Sequence, residues 1–517
     1  MLTHTVRPLS ELLADAPPSM TVGMIPEGDF PLHAVFSDSR EASEYGRQGL
    51  FTAIVGASFD GHSFARAVYD AGCRIFAVSR ILPLPEDALQ LVYPDTRIAL
   101  ALLSASFYRH PSRELTVVGV TGTKGKTTTC LLAESILLRA GIPTGYIGTS
   151  GIRYAGVSQE SPNTTPESLI LQRTMREMLD AGIRVLVMEV SSQALMQHRV
   201  HGIGFSVTVF TNLSKDHVGP REHPSFSHYK DTKRSLFTSY PADAVILNGD
   251  DPVSPEMLPL GVSARVRTFS TAAEPKKGSH VLPTPSLTAR EIAPASSADG
   301  RIGVSFRLHG DGFTETEHPV FLPLPGECNV QNALAALLIC TELGVPADTV
   351  AEHLSEISVK GRCEAVATGR GARVLIDYAH NEASLREILS ALRNYAPKRL
   401  IVLFGSVGGR TQERRASMGA VASSLADFCI LTSDNPDCEP PESILSDIER
   451  GFTRDCPHVK IPDRREAIRY GLRIAEEGDI LLLAGKGHET YQLVNGEKLP
   501  FSEREIVEEW IFEAQKA

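Results

Sequence analysis

The sequence predicts an α/β protein of three domains, with a central parallel sheet built around a phosphate-binding loop and a C-terminal doubly wound, Rossmann-like domain. Three observations carry that reading. Residues 117–129, VVGVTGTKGKTTT, set a glycine turn between an apolar β-branched run and a helix-forming stretch. Short apolar runs alternate with helical stretches along the chain, the pattern of parallel sheets covered by helices on both faces. The 517 residues exceed one core, and about 150 residues per domain suggest three or so.

In the first expected domain, residues 1–110, the runs LFTAIVG, RIFAVS and LQLVYP alternate with helical stretches at Ala65 to Asp70 and Ala99 to Tyr108. HPSREL, at 110–115, has the proline and charges of a linker. The second domain, 111–357, carries the phosphate-loop helix to Ala140, stopped by Gly141, and then strands at Val185 to Val190, Ser206 to Thr211 and Ala244 to Asn248. Residues 270–300, rich in Ala, Ser, Pro and Gly, read as a loop or edge hairpin, and NVQNALAALLICTEL reads as the closing helix. After Gly361 the pattern restarts in a third domain, 358–517, with strands at Val374 to Ile376, Leu400 to Phe404, Phe428 to Thr432 and Asp479 to Ala484. Active groups in such a sheet lie at the C-terminal strand ends, where DYAH, FGSVGGR, SDNPD and AGKGHE fall.

Composition narrows the partners. A net charge of −11 without a polybasic block argues against nucleic acid or an anionic membrane as the main partner. The eight cysteines are scattered with no CxxC pair, so neither a zinc ribbon nor a disulfide framework is expected, only reduced core thiols. The N-terminal segment lacks a basic region joined to an apolar one, and no apolar run is long enough to span a bilayer. A cytoplasmic protein without membrane insertion is expected.

The loop chemistry is specific. Gly122 and Gly125 let backbone N–H groups close around phosphate oxygens, Lys126 supplies a point charge, Thr127 offers a hydroxyl to Mg²⁺, and the following helix presents its positive N-terminus. A nucleoside triphosphate is the expected ligand. The strict P-loop spacing asks for glycine at position 120, where this chain has Val120, but a bare glycine turn has no need of a lysine followed by three threonines. Glu189, at the end of a strand in VLVMEVSSQAL, can bind the nucleotide's Mg²⁺ directly or through water. His217 in TNLSKDH and Lys233 in KDTKRSLF add a place for a second cation, although a lone loop histidine or helix lysine is more often solvated.

With these residues the chain resembles the Mur ligase family, ATP-dependent amide ligases of peptidoglycan precursor synthesis, and within it the UDP-N-acetylmuramoyl-tripeptide synthetase branch. The matches run in family order: DSR, DGH, GTKGKTTT, NTTPES, MEVSSQAL, TNLSKDH, the segment from Lys233 to Phe237, LPGECNVQNALAA, GRCE, DYAH, DNPD and AGKGHETYQ. The resemblance implies that ATP phosphorylates the terminal carboxylate of a UDP-N-acetylmuramoyl dipeptide, and that the amine of a free amino acid attacks the acyl phosphate. It implies catalytic roles for Lys126, Glu189, His217 and Lys233, with Mg²⁺ held by Thr127, Glu189, His217 and a carbamylated Lys233. Lys230 is the nearest competitor for that modification. ATP would also meet Gly122, Thr123, Lys124, Gly125, Thr128, Asn329, Asn332, Arg362 and Asp377. Ser39, Thr164, Thr165, Ser191, Gln197 and Arg199 would hold the UDP-muramoyl peptide, with the DGH turn beside Ser39, and Arg410, Asp434, Asn435, Asp437, Gly485 and Glu489 the incoming amino acid. A monomer is expected.

Departures from the family pattern include Lys124, Gln193, Val218 to Pro220, Cys328, Ser406 and Val407. Asp437 carries a larger consequence. Diaminopimelate-adding members usually read DNPR, where the arginine pairs with the distal carboxylate. Two like charges about 4 Å apart repel by roughly 4 kcal/mol at an effective dielectric near 20. Lysine or ornithine is therefore expected as the third residue, unless Arg414 or Arg415 replaces the missing cation. The rival readings are a MurF-type or folylpolyglutamate-type ligase, and a paralogue that binds muramoyl peptide without ligating it.

Overall fold

Short β-branched and aromatic runs near the N-terminus pair into a five-stranded sheet: β1 (Met20–Val22), β2 (Ala34–Phe36), β3 (Gly49–Thr52), β4 (Ile75–Val78) and β5 (Leu89–Val92), in the order β1-β5-β4-β3-β2. Strands β2 to β5 are parallel and β1 is antiparallel. Strands β2 to β5 are largely apolar and buried on both faces, and their period of two sends Leu50 and Ile75 to one face and Phe51 and Phe76 to the other. Helix α1 (Thr96–Phe107) starts where Asp95 accepts from the Arg97 amide at 2.7 Å, and it buries Leu100, Leu103 and Phe107 against the first face. The structure is a computed structural model that describes residues 6–516 except 25–27, 57–58, 216–217, 220–221, 259–260, 262, 273–281, 299, 311, 314–318, 368–370 and 410–411.

The phosphate-loop strand β6 (Thr116–Thr121) lies inside a larger sheet. Around it are β7 (Thr144–Gly148), β8 (Gly151–Tyr154), β9 (Val157–Gln159), β10 (Val185–Glu189), β11 (Val207–Phe210), β12 (Ala244–Asn248) and β13 (Arg265–Ser270), ordered β9-β8-β7-β10-β6-β11-β12-β13. From β7 to β13 the pairing is parallel, and β8 and β9 fold back as an antiparallel edge. Helix α2 (Lys126–Arg139) follows β6 and stops where Gly141 turns at φ 78°, as the sequence predicts. Because β10 and β11 flank β6 in parallel, the segments leaving all three strands emerge at one edge of the sheet.

By internal contacts the chain divides into one unit of Met1–Phe269, Pro275–Pro285 and Leu338–Val345 and another of Ser270–Glu274, Ser286–Leu337 and Pro346–Ala517. In the second unit the small-residue stretch forms an antiparallel hairpin, β14 (Leu287–Ser296) with β15 (Ile302–Gly310), extended by β16 (Val320–Leu322). Helix α5 (Glu327–Glu342) follows, with residues 327–337 in the second unit and the remainder in the first, which also holds the helices α3 (Ser192–Met196) and α4 (Phe226–Thr238). The C-terminal sheet contains β17 (Glu364–Ala367), β18 (Arg373–Asp377), β19 (Leu400–Phe404), β20 (Phe428–Leu431), β21 (His458–Lys460) and β22 (Ile480–Ala484), ordered β17-β18-β22-β19-β20-β21, with only β17 antiparallel. Its helices include α6 (Arg464–Ile474) and α7 (Glu503–Lys516), and a small hairpin joins β23 (Tyr491–Val494) to β24 (Glu497–Pro500). The fold is the α/β arrangement the sequence predicts.

No disulfide joins the eight cysteines. Six are buried as expected for core thiols, but Cys438 is exposed and Cys328 half-buried. Among the described residues no helix is long and apolar enough to cross a membrane.

Candidate active site

Strand β6 runs to Thr121, and only then does the chain turn. Val120 is wholly buried inside the strand, paired with Glu189 on one side and Val209 on the other, which explains why no glycine is needed there. Gly122 makes the turn at φ 154°, and a Cβ on it would fall 1.9 Å from Thr211 Oγ1. Gly125 sits at φ 84° at the head of α2. The loop is braced by its neighbour: the Lys124 amide donates to Asn212 Oδ1 at 3.0 Å, and Thr211 Oγ1 donates to the Lys124 carbonyl at 2.6 Å. Thr123 Oγ1 meets the Tyr229 hydroxyl at 3.1 Å, and Thr128 is buried in the first turn of α2.

Two lysines converge on the turn. Lys126 Nζ donates to the carbonyls of Gly122 (2.9 Å) and Thr123 (3.1 Å), and Lys233 Nζ donates to the same Gly122 oxygen at 2.8 Å. Lys233 is 1% exposed, with its ammonium 4.7 Å from the Tyr229 ring centre. Lys230, its competitor, instead pairs with Glu256 at 2.5 Å away from the turn. His217 lies outside the described residues.

Glu189 ends β10 with no exposed surface. Its Oε2 accepts from Thr127 Oγ1 (3.0 Å) and Thr149 Oγ1 (3.2 Å), and its Oε1 accepts from Tyr146 OH (2.7 Å) and the Thr149 amide (2.9 Å). Tyr146 was not legible as a site residue. Burial, with the Glu189 charge beside it, pushes its phenol well above the ordinary range, so it acts as a hydrogen-bond donor. The signal in the sequence was Gly148, where a Cβ would lie 2.2 Å from the Tyr146 oxygen and 2.3 Å from Glu189 Oε1. The Thr127 hydroxyl and a Glu189 oxygen, meeting at the head of a helix, are the hard donors that Mg²⁺ prefers.

A cleft of about 280 Å³ opens beside these groups, lined among others by Lys126, Thr164, Ser191, Gln193, Arg199 and Lys233. Thr165 ties it to the metal-type acid: its Oγ1 donates to the Glu189 carbonyl at 2.8 Å and accepts from the Ser191 amide at 3.0 Å. Arg199 donates to the Thr165 carbonyl (2.8 Å) and to Gln197 Oε1 (2.7 Å). Its Nε lies 2.9 Å from Glu167 Oε1, an ion-pair contact not aligned as a hydrogen bond. Burial pulls its guanidinium below the ordinary value. Gln197 thus orients Arg199. Ser39 is half-buried in a turn capped by Asp38, and the DGH turn is internally satisfied: Asp60 binds the His62 amide, the His62 ring and Arg80, while His62 Nε2 accepts from the Ser79 amide at 2.9 Å.

In the C-terminal unit the expected residues sit at strand exits. Asp377 ends β18, where its carboxylate accepts from the amides of Cys363 and Ala379, each at 2.8 Å. Arg362 stacks 4.9 Å from the Tyr378 ring centre. Asn329 and Asn332 share a face of α5, and Asn332 Nδ2 donates to Asn329 Oδ1 at 3.2 Å. After β20 and β22, Asp434, Asn435, Gly485 and Glu489 come together around a residue the sequence reading passed over, Lys486. Its fully buried ammonium lies 2.9 Å from Glu489, 3.0 Å from Asn435 Oδ1 and 3.6 Å from Asp434. Gly485 turns at φ 121° with its Cβ position 3.0 Å from Asp434 Oδ2. Asp437 has a structural partner: its Oδ1 accepts from the Gly496 amide at 2.8 Å, in the turn between β23 and β24. Arg415 does not reach out as a substitute cation, because it is buried between Glu439 and Asp447 at 2.6 and 2.8 Å. Arg414 donates to the His380 carbonyl at 2.9 Å, and Arg410 lies outside the described residues.

Residues 120–340 match the Mur ligase middle domain, and residues 361–487 match the Mur ligase glutamate ligase domain. A UDP-N-acetylmuramoyl-L-alanyl-D-glutamate--2,6-diaminopimelate ligase of Caldanaerobacter subterraneus subsp. tengcongensis is 38% identical over 94% of this chain and 96% of its own length. The protein of the same name from Geobacillus kaustophilus is 38% identical over 93% of this chain and 94% of its own. A solved structure of a ligase with that name superposes with a TM-score of 0.65 at 26% identity, covering 96% of this chain and all of that one. The relatives' names lend no support to the expectation, drawn from Asp437, that diaminopimelate is disfavoured. The chain belongs to the Mur ligase family of ATP-dependent ligases, in its MurE branch.

Proposed function

We propose that the protein adds the third amino acid to UDP-N-acetylmuramoyl-L-alanyl-D-glutamate, using ATP to activate the terminal carboxylate as an acyl phosphate. The observation that carries this reading is that Lys126 and Lys233 meet at the phosphate-loop turn and line the cleft that also presents Thr164, Ser191 and Arg199, with Thr127 joined to Glu189 at the head of the same helix. Phosphoryl transfer needs little covalent help from protein. It needs fixed positive charge where oxygen charge accumulates, and a loop of N–H donors at a helix N-terminus. Arg199, oriented by Gln197, suits a substrate carboxylate or phosphate.

Thr127, Glu189, His217 and a carbamylated Lys233 would hold Mg²⁺, which when bound would neutralise phosphate charge. Lys126 and Lys233 donate to one carbonyl oxygen, so their nitrogens are no more than about 6 Å apart. At an effective dielectric near 20 that repulsion is about 3 kcal/mol, which favours an anion between them or conversion of one ammonium to a carbamate. Asn329, Asn332, Arg362 and Asp377 are proposed for the nucleoside end of ATP. Asp434, Asn435, Gly485 and Glu489, with Arg410, are proposed for the zwitterionic head of the amino acid. The domain plan 1–110, 111–357 and 358–517 assigns UDP-muramoyl, ATP and amino acid in that order.

The relatives' names favour meso-diaminopimelate as the amino acid. A second reading rests on Asp437, whose negative charge stands where an arginine would meet a distal carboxylate, and it favours lysine or ornithine. Phosphate release with UDP-muramoyl dipeptide and single amino acids decides between them. On the second reading Asp437→Arg shifts preference towards diaminopimelate by about one to three decades. An unaltered preference after the substitution would leave Asp437 as the anchor of the β23–β24 turn and nothing more. Absence of phosphate release with every amino acid tested would sink the ligase reading itself.

A further inference from the structure

Arg464 opens helix α6 and has no exposed side-chain surface. Its Nη1 donates to the Ser433 carbonyl at 3.0 Å and its Nη2 to the Ala484 carbonyl at 2.8 Å. These are the residues immediately before Asp434 and Gly485, at the exits of β20 and β22. Those strands are not neighbours, because β19 lies between them in the sheet. A planar guanidinium spans such a gap with donors on separate nitrogens held in a fixed fork, a geometry a flexible ammonium does not fix.

The counter-ion argues the same way. Glu503, from the start of α7, is 1% exposed and takes both the Nε (3.0 Å) and Nη2 (2.7 Å) donors on Oε1. Its Oε2 has no hydrogen-bond partner among the described residues. A buried pair so incompletely satisfied contributes little net stability, since well-packed apolar replacements of such pairs are often neutral or stabilising. Its distinctive product is the fixed distance between two backbone carbonyls. Above the clamp, Lys486 in turn holds Asp434, Asn435 and Glu489 together.

We infer that Arg464 is a positioning residue for the amino-acid site, setting the spacing of the 434–435 and 485–489 segments through its two carbonyl tethers, with Glu503 as its counter-ion. This rests on the reading of the Asp434, Asn435 and Glu489 cluster as that site. Three variants of the full chain test it, with steady-state phosphate release recorded for each substrate. Glu489→Gln checks the underlying reading, which fails if KM for the amino acid does not change. Arg464→Lys keeps the charge for Glu503 but removes the rigid fork that meets the two carbonyls, and Arg464→Met with Glu503→Met replaces the pair by apolar volume. Both should raise KM for the amino acid about tenfold or more while KM for ATP stays within about twofold and the thermal midpoint is retained. If Glu489→Gln raises KM but folded Arg464→Lys does not, the clamp is overturned and the site reading stands. An equal rise for ATP and amino acid would also overturn it, since that is general loosening of the fold.

Discussion

Glu189 accepts four hydrogen bonds while fully buried, and this decides how its role must be tested. Truncation to alanine leaves buried donors on Thr149 and Tyr146 unsatisfied, each costing about 1–3 kcal/mol, so lost activity would be confounded with lost stability. Glu189→Gln keeps the volume, and the Thr127 and Thr149 hydroxyls can rotate to accept from the new amide. We expect this variant and Lys126→Ala to remain folded by circular dichroism and to lose about 10²-fold or more in phosphate release. Near-normal turnover in either would sink the assigned roles. Lys233 sits 1% exposed against the phosphate-loop turn, where a surface lysine has no reason to be. Lys233→Ala should lose activity that short-chain carboxylates partly restore, and ¹³C-bicarbonate should label the parent enzyme with a carbamate resonance. A carbamate signal that persists in the variant would move the modification elsewhere.

At the scale of elements, the turn from Asp60 to His62 carries an electrostatic contribution of its own. Asp60 is held below the usual carboxylate range first by the hydrogen bond from Arg80, then by the His62 amide. A depressed folded-state value contributes stability that is fully present above the unfolded value near pH 4 and is lost as pH falls through the folded one. Asp60→Asn should therefore unfold at lower temperature than the parent at pH 7, and the gap should close on acidification below about pH 4. A gap that widens with acid would mean that another carboxylate controls the turn. The elements legible in the sequence were those whose local chemistry is strong: the turn at Gly122 and Gly125, the strand ending in Glu189, and the helix stop at Gly141. What stayed hidden depends on contacts between distant segments. Tyr146 meets Glu189 across β7 and β10, Lys486 has two of its three partners, Asp434 and Asn435, more than fifty residues away, and Arg464 acts through backbone carbonyls that carry no side-chain signature. At Asp437 the charge is legible in the sequence, but the Gly496 amide that occupies one of its oxygens is not.

For the whole molecule, two compact units imply that unfolding is not a single two-state event, so ligand effects must be read transition by transition. The phosphate loop and the Thr165, Ser191 and Arg199 groups lie in the same unit, so the nucleotide and muramoyl-peptide roles are separated by single-residue variants. A ligand at about 100 times its dissociation constant stabilises the state that binds it by roughly 2.7 kcal/mol. For a unit of about 250 residues that corresponds to a rise of roughly 5–10 °C in the midpoint. Mg²⁺·ATP should raise a calorimetric transition of the parent protein by this amount, and UDP-muramoyl dipeptide should do so independently. Lys126→Ala removes a cation from the phosphate loop but leaves Thr165, Ser191 and Arg199 tied to one another through the Thr165 hydroxyl and carbonyl. It should abolish most of the ATP shift while sparing most of the dipeptide shift. The converse is expected of Arg199→Met, since Arg199 donates within the 165–199 network and makes no described hydrogen bond to the phosphate loop. If Lys126→Ala erased both shifts together, the lysine would be holding the cleft's structure rather than nucleotide charge, and the assignment of the loop as the ATP site would fail.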